Sequence, residues 1–197
     1  MKKYELTEET VTVYGKTLYR IRAVRDFGSV KTGEFGGYIE KEENLSHFGN
    51  AWVSGNAWVF DNARVYDNAW VFGNAWVFDN ARVYDDTWVY GNARVYDDAW
   101  VCGDAKVYGD AWVSGNAEVF NTRHFFVQGP IGSRNGFITF YRTKDNTVEV
   151  RCGCFSGSLQ KFVDRVEETH GGSRYEKEYK LAAELAKVCI RLEGESR

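Results

Sequence analysis

Proline is nearly absent from this chain of 197 residues, and long apolar runs are missing altogether. The single proline, Pro130, excludes a proline-rich linker between domains. No stretch approaches the roughly 20 apolar residues that span a bilayer, and the start, Met1-Lys2-Lys3-Tyr4, lacks the apolar core of a signal peptide. The four cysteines do not form the pattern of a disulfide framework. We therefore expect a cytoplasmic protein without a membrane segment.

The chain is instead rich in a six-residue repeat. Residues 49–120 divide into twelve consecutive hexads of the form [G/D]-[N/D]-A-x-V-x. The fifth position is valine in every hexad, and the third is alanine in eleven of them and Thr87 in the other. This regularity identifies a repeat protein, and the period decides which kind.

Side-chain alternation predicts how each hexad folds. In an extended A-x-V-x stretch, alanine and valine point to one face and the x residues to the other. The next two residues are glycine, aspartate or asparagine, which tolerate turn conformations. The sequence 55–72 is repeated almost unchanged at 73–90, so three hexads close one triangular coil. We therefore predict a mainly β protein with a parallel β-helix, a triangular prism of about four coils.

Hexads three apart stack on one another, so the residues that point outwards form columns along three faces of the prism. Two faces carry mainly aromatic side chains. Ladder stacking accounts for part of this aromatic surface, but monomers rarely expose apolar patches larger than roughly a few hundred Å². We therefore expect a second copy, the terminal segments or a target to cover at least one face. The candidate binding residues on the prism surface are Trp52, Trp58, Trp70, Trp76, Trp88, Trp112, Tyr90, Arg64, Arg82, Asp67 and Asp85.

Nine aspartates lie at the corners between the predicted strands. Residues 49–120 carry ten acidic and four basic side chains, a net charge of −6. Aspartate suits corner conformations and keeps a repeat body soluble, which explains the acidic charge without a function. The acidic prism could instead bind in a groove of another protein that normally binds nucleic acid. Direct binding of nucleic acid is not expected, because phosphate contacts need a basic surface.

The region before the repeat is not repetitive. Residues 1–48 are predicted to form a β cap that leads into the repeat body (49–120), and they contain a predicted hairpin of strands 10–14 and 18–24. Residues 43–48 form a degenerate hexad. The first coil is therefore expected to begin before the first regular hexad.

The region after the repeat has a different composition. Residues 121–197 are predicted to form a small α+β domain of three strands and two helices. Its predicted strands are 125–128, 136–142 and 147–154. Its first helix ends at His170-Gly171-Gly172, and its second spans 176–192 with Leu181, Leu185, Val188 and Leu192 on the apolar side.

The lead-in sequence RIRAVRDFGSVKTGEFGGYIEKEENLS (20–46) resembles the YdcK-like hexapeptide-repeat proteins of bacteria, phages and prophages. The resemblance covers about the first 120 residues. It implies the repeat fold and a mobile-element setting, and it implies no established chemistry. The hexad pattern itself resembles the hexapeptide-repeat left-handed β-helix family, and this resemblance implies a left-handed winding of the coils. The segments GPIGSRNGFITFYRT (129–143) and VRCGCFSGSLQKFVDRVEETHG (150–171) resemble a C-terminal module of phage-related proteins of Gram-positive bacteria.

Many hexapeptide-repeat proteins are acyltransferases that place a catalytic histidine on or near the coil and an extruded loop at a coil junction. The twelve hexads contain neither a histidine nor an insertion, and the three histidines, His47, His124 and His170, lie outside them. The pair Cys152 and Cys154 lacks the second pair of a metal site. We therefore expect no enzyme activity, no catalytic residue, no metal and no cofactor.

The leading hypothesis is a binding protein of a phage or prophage that acts in the cytoplasm of the bacterial host. It would inhibit a host protein, such as a CRISPR-type defence effector, by covering its surface. A second hypothesis is a sponge for a nucleotide immune signal, with bases on aromatic side chains and phosphates on Arg64, Arg82 or Arg94 at a subunit interface. A third is an assembly scaffold, and an acyltransferase is less favoured than any of these. A homodimer or homotrimer would cover an aromatic face.

Overall fold

A computed structural model describes residues 2–192. It shows a mainly β protein, in which a β-solenoid of about five turns (38–119) precedes an antiparallel sheet and two C-terminal helices. The predicted fold class is therefore confirmed. No helix in this described part of the chain is long and apolar enough to cross a membrane.

The predicted N-terminal hairpin is present and is longer than expected. Strands β1 (Tyr4–Val13) and β2 (Lys16–Ala23) pair in antiparallel fashion. The turn between them places Tyr14 at φ 48° and Gly15 at φ 77°. Strand β3 (Phe35–Ile39) pairs antiparallel with β2 and parallel with a solenoid strand. The hairpin therefore extends one face of the solenoid instead of forming a separate unit.

Each hexad contributes one strand of two residues to the solenoid. These strands are β4 (Trp52–Val53), β5 (Trp58–Val59), β6 (Arg64–Val65), β7 (Trp70–Val71), β8 (Trp76–Val77), β9 (Arg82–Val83), β10 (Trp88–Val89), β11 (Arg94–Val95), β12 (Trp100–Val101), β13 (Lys106–Val107), β14 (Trp112–Val113) and β15 (Glu118–Val119). Strands 18 residues apart pair in parallel, as Val65 does with Val83. The repeat valines and alanines are at most 2% exposed and fill the interior. Alternation along each strand therefore sets the core, as predicted.

The solenoid has about five turns and not the predicted four. Ile39 pairs with Val59, and Leu45 bridges Val65, so both occupy interior positions above repeat valines. Both are essentially unexposed. The degenerate hexad at 43–48 correctly indicated an earlier start. The count of four was wrong because it included only valine hexads, whereas the interior accepts any apolar side chain of suitable size in that position.

The corner residues have specific structural roles. The first residue of the corner is in the left-handed region, for example Asp85 at φ 58°, a conformation that aspartate and glycine tolerate. The Asp85 carboxylate accepts a hydrogen bond from Gly103 N on the next turn at 3.1 Å. At the second corner position the side-chain amide of Asn50 donates to Asn68 Oδ1, and that of Asn68 to Asp86 Oδ1, both at 3.1 Å. The acidic charge of the corners therefore has a structural explanation.

The C-terminal domain has four strands where three were predicted. They are β16 (Phe125–Ile131), β17 (Gly136–Arg142), β18 (Val148–Cys152) and β19 (Phe155–Ser158), which form an antiparallel sheet in sequence order. Residues 147–154 were predicted as one strand. Gly153 has φ 57°, and there the chain turns so that β19 folds back on β18. Glycine adopts this conformation without strain, which is why the strand ends here.

The buried face of the second helix also differs from the prediction. Helices α1 (Leu159–His170) and α2 (Arg174–Cys189) cover the sheet. The buried side chains of α2 are Tyr179, Ala182, Ala183 and Ala186, while Leu181, Leu185 and Val188 are 70%, 47% and 76% exposed. The small alanines allow a close approach that leucines would prevent. The prediction was wrong because it chose the larger apolar residues as the core side.

Candidate functional site

One face of the prism is covered by the N-terminal hairpin. Trp58 and Trp76 stack with ring centroids 4.6 Å apart, and Phe60 is 1% exposed. Val13 and Leu18 of the hairpin lie in the same apolar cluster as these rings. We call this face, built on β3, β5, β8, β11 and β14, the covered face.

The far end of the covered face lies against the C-terminal domain. The Arg94 guanidinium lies between Trp76 and Trp112, at 4.5 and 5.0 Å from their ring centroids. Arg151 of β18 lies 5.4 Å from the Tyr96 ring, and its Nε donates to the Tyr96 hydroxyl at 2.7 Å. The expectation that one aromatic face is covered is therefore confirmed, and the terminal segments provide the cover.

The structure removes Trp52 from the set of surface residues. Its side chain is 1% exposed and packs edge-on against Phe27 and Tyr4, at 5.3 and 6.4 Å between ring centroids. Trp52 therefore belongs to the core at the start of the solenoid. Trp70, the next residue in that column, is partly buried against the same core.

The face built on β4, β7, β10 and β13 remains open along an aromatic column. Phe72 and Tyr90 stack at 4.9 Å with an angle of 3° between their planes, and Tyr108 continues the stack at 5.7 Å. Trp88 contacts the edge of Phe72 at 6.1 Å. Trp88 is 44% exposed and Tyr108 is 45% exposed. We call these four residues the aromatic strip.

One corner of the prism gives the aromatic strip an acidic border. Asp67, Asp85, Asp86 and Asp104 occupy this corner, and all four are exposed. Lys106 lies over the Trp88 ring at 4.8 Å, and it is the basic side chain within the open face. The border therefore makes the approach to the strip favourable for a basic surface. We call these four aspartates the acidic edge.

The third face, built on β6, β9, β12 and β15, carries two arginines in register. Arg64 and Arg82 are both exposed and lie on paired strands. No carboxylate among residues 2–192 lies within 4.0 Å of either guanidinium. Next to them, Tyr66 and Tyr84 stack at 4.9 Å. A depression of about 320 Å³ is lined by Glu43, Ser46, Arg64, Val65, Tyr66 and Arg82, and we call it the arginine–tyrosine pocket.

The histidines at the two ends of the solenoid take part in packing. His47 stacks on Tyr4 at 4.3 Å, and its Nδ1 accepts a hydrogen bond from Lys3 N at 3.2 Å. His124 contacts the edge of the Phe120 ring at 4.0 Å. Burial, followed by the charge of Arg142, lowers the pKa of His124 to about 4. Both histidines thus lie at the junctions between the solenoid and its caps.

The cysteine pair is separate from the surfaces described above. Cys152 ends β18 and Cys154 lies in the turn that follows. Burial raises the pKa of the Cys152 thiol, which disfavours the reactive thiolate. Within the part of the chain that the structure describes, no group of three or more histidine, cysteine, aspartate and glutamate side chains could hold a metal ion.

The comparison with known protein families agrees with the β-solenoid that the structure shows. The family described as the YdcK β-solenoid repeat matches residues 63–77 and 89–103. Over these two segments the chain is similar to the YdcK β-solenoid repeat. Both matched segments lie inside the solenoid, so the match concerns the repeat and does not extend to the C-terminal domain. A search of curated proteins found no match.

The structure brings some of the predicted site residues together and separates others. Trp88 and Tyr90 lie on the open face, Arg64 and Arg82 on the third face, and Asp67 and Asp85 at the corner between those faces. Trp58, Trp76 and Trp112 lie on the covered face. The candidate set omitted Phe72, Tyr108, Tyr66, Ser46 and Glu43. The 18-residue spacing could have identified the first three, whereas Ser46 and Glu43 require knowledge of the register of the additional turn.

Proposed function

We propose that this protein is a non-enzymatic binding protein of a phage or prophage, and that it inhibits a host protein such as a CRISPR-type defence effector. The aromatic strip is the observation that carries the proposal. Trp88 and Tyr108 remain 44% and 45% exposed although an equivalent face of the same prism is covered. Clustered, exposed aromatic residues of this kind typically anchor protein interfaces.

The charges around the strip indicate what kind of partner would fit. The acidic edge borders the aromatic residues, so a partner with apolar pockets and a basic rim is complementary. Defence effectors that bind nucleic acid present such basic grooves. The phage setting comes from the resemblance of the lead-in and C-terminal segments, and it is consistent with a host target.

The test is capture from a bacterial host lysate with three immobilised proteins: the wild type, the Trp88→Ala/Tyr108→Ala variant and the Phe137→Ala variant. Phe137 is a matched control because it is an aromatic residue of the C-terminal sheet that is 40% exposed. We expect a host protein to be retained by the wild type and by the control, and lost from the strip variant. Equal capture by all three proteins would contradict binding through the strip.

We also propose that the protein forms a homodimer through α2. Leu181, Leu185 and Val188 have the spacing of a helix–helix seam, and all three are exposed. A second copy of the same helix would cover this stripe by two-fold symmetry. Light scattering should show a dimer for the wild type and a monomer for Leu181→Glu/Val188→Glu. A wild type that stays monomeric at micromolar concentrations would exclude the dimer.

A further inference from the structure

The aromatic column of the third face stops at Tyr66, because the first turn of the solenoid places no ring above it. Where two neighbouring turns both carry a ring in the same column, the rings stack, as Tyr66 does on Tyr84 with an angle of 3°. The position above Tyr66 is occupied by Ser46, whose backbone N donates to Val65 O at 2.9 Å. Ser46 is too small to continue the stack. Among the described residues, Tyr66 has Tyr84 as its only ring contact.

The gap above Tyr66 is part of the arginine–tyrosine pocket. Ser46 and Tyr66 both line this depression, together with Arg64 and Arg82. Its volume of about 320 Å³ falls at the lower end of the range for small-molecule sites. A planar ring that entered it would stack on Tyr66 from the side opposite Tyr84.

The two arginines supply the second half of the site. They repel each other at the spacing of neighbouring parallel strands, and no carboxylate within 4.0 Å neutralises them among the described residues. Guanidinium groups bind phosphate oxygens with short, charge-assisted hydrogen bonds. Arg82 rests one side of its guanidinium on the Trp100 ring at 4.9 Å, and its side chain stays exposed. Arg94 differs, because it is held between two tryptophan rings and serves the covered face. Arg64 and Arg82 are therefore the guanidinium groups of the repeat body that can take an external anion.

We propose that the arginine–tyrosine pocket binds a nucleoside phosphate, with the base stacked on Tyr66 and the phosphate held by Arg64 and Arg82. A ring and an anion on one small molecule satisfy both halves of the site at once. Glu43 also borders the pocket, and its negative charge favours a ligand with a single phosphate over one with a longer phosphate chain. This site lies on a different face from the aromatic strip and does not depend on the proposed protein target.

The test uses titration calorimetry of the full chain with three probes: adenosine 5′-monophosphate, adenosine and inorganic phosphate. We expect the monophosphate to bind at least tenfold more tightly than either fragment. Equal binding of inorganic phosphate and the monophosphate would reduce the site to two surface arginines and would overturn the proposal. Absence of monophosphate binding up to millimolar concentrations would also overturn it.

Two kinds of variant locate the site. Arg64→Ala and Arg82→Ala should each weaken binding of the monophosphate about tenfold, whereas Arg134→Ala, which removes an exposed arginine of the C-terminal domain, should have no effect. Ser46→Phe should abolish binding, because the added ring occupies the gap above Tyr66. Circular dichroism checks that each variant is folded.

The matched control for the filled pocket is Ser54→Phe. Ser54 holds the equivalent position on the open face, above Phe72, and its backbone N donates to Val71 O at 2.9 Å. This variant adds the same ring to the prism without touching the pocket, so monophosphate binding should be unchanged. If Ser46→Phe and Ser54→Phe bind the monophosphate equally well, the base does not stack on Tyr66 and the proposal is wrong.

Discussion

The covered face and the open face of the prism are built from the same hexads and have opposite environments. Trp76 and Trp88 hold the same position in their hexads, yet Trp76 lies against Trp58, Tyr14 and Arg94, whereas Trp88 is 44% exposed. The repeat therefore determines the direction of a side chain and the ring it stacks on. What lies over that side chain is determined outside the repeat.

The two aromatic columns show the same contrast in more detail. Phe60 and Phe78 stack at 5.1 Å on the covered face, and Phe72 and Tyr90 stack at 4.9 Å on the open face. Stacking is thus nearly equal in the two columns. Phe60 is nevertheless 1% exposed, whereas Phe72 and Tyr90 are only partly buried. An aromatic residue in this repeat can be part of the core or part of the exposed surface, with nearly the same stacking on its neighbour in the column.

The largest expected effect comes from the interior that both faces share. Val83 is unexposed, so Val83→Asp would bury a charge without a partner and should destabilise the solenoid by about 4 kcal/mol or more. Loss of the β signal in circular dichroism and of cooperative urea unfolding would be the evidence. Wild-type stability of this variant would show that the assigned inward register is incorrect.

The second prediction compares the two columns directly. Phe60→Ala removes a buried ring and should reduce the free energy of unfolding by about 3–5 kcal/mol. Tyr108→Ala removes a ring that is 45% exposed and contacts Tyr90 and Phe125, and it should cost less, about 1–2 kcal/mol. Urea titrations of both variants measure the difference. Equal losses would mean that the open face is covered in solution.

The third prediction compares a tryptophan of the open face with one of the covered face, in target binding as well as in stability. Trp88→Ala should weaken binding of the captured target by about 2 kcal/mol, roughly 30-fold in Kd, with little change in stability. Trp76→Ala should instead destabilise the protein, because the ring supports Arg94 and the hairpin. Surface plasmon resonance, combined with thermal unfolding, separates the two. If Trp76→Ala impairs the target complex while the fold stays intact, the assignment of faces is reversed.

A fourth prediction concerns the junction between the solenoid and the C-terminal domain, where His124 and Arg142 lie against Phe120. The pKa of His124 is lowered to about 4 in the folded protein, from an ordinary value of 6.5. The unfolded chain therefore binds the proton more readily between these values, and stability should fall as the pH drops from 6.5 towards 4. The midpoints of urea unfolding, measured between pH 6.5 and pH 4, test this pH dependence of stability. The variant His124→Asn should show a smaller pH dependence.

The smallest expected effect belongs to the acidic edge. Asp67→Asn and Asp104→Asn remove exposed charges beside the aromatic strip and should slow association with the target a few-fold, with little change in dissociation. Added salt should reduce the difference, because exposed charges are screened over about 10 Å at 0.1 M salt. An unchanged association rate would mean that the corner aspartates have a structural role and do not contribute to association with the target.

The fold could be predicted from the sequence wherever the relevant interaction is local or repeats. The twelve strands, the inward valines and the hairpin turn at Gly15 follow from alternation and from turn chemistry. The fourth strand of the C-terminal sheet was missed because Gly153 creates a turn inside an apolar run. The buried face of α2 was missed because packing favoured Ala182, Ala183 and Ala186, whose small size matters only against a specific neighbour.

The candidate site was predictable only in part. The hexad spacing placed Trp88 and Tyr90 on one face and Arg64 and Arg82 on another. It did not reveal that Trp52 is buried beneath Tyr4 and Phe27, since these contacts cross more than 20 residues of non-repetitive chain. The gap above Tyr66 was also hidden, because Ser46 belongs to a turn without the regular hexad pattern.

The sequence by itself determined the prism: the period of six, the 18-residue stacking distance, the interior valines and the acidic corners. Each of these depends on alternation, turn preference or pairing between identical turns, so every hexad carries the information. The tertiary structure alone decided which aromatic face is core and which is surface. That choice depends on where the hairpin and the C-terminal sheet come to lie, through contacts between distant and dissimilar segments that no repeat encodes.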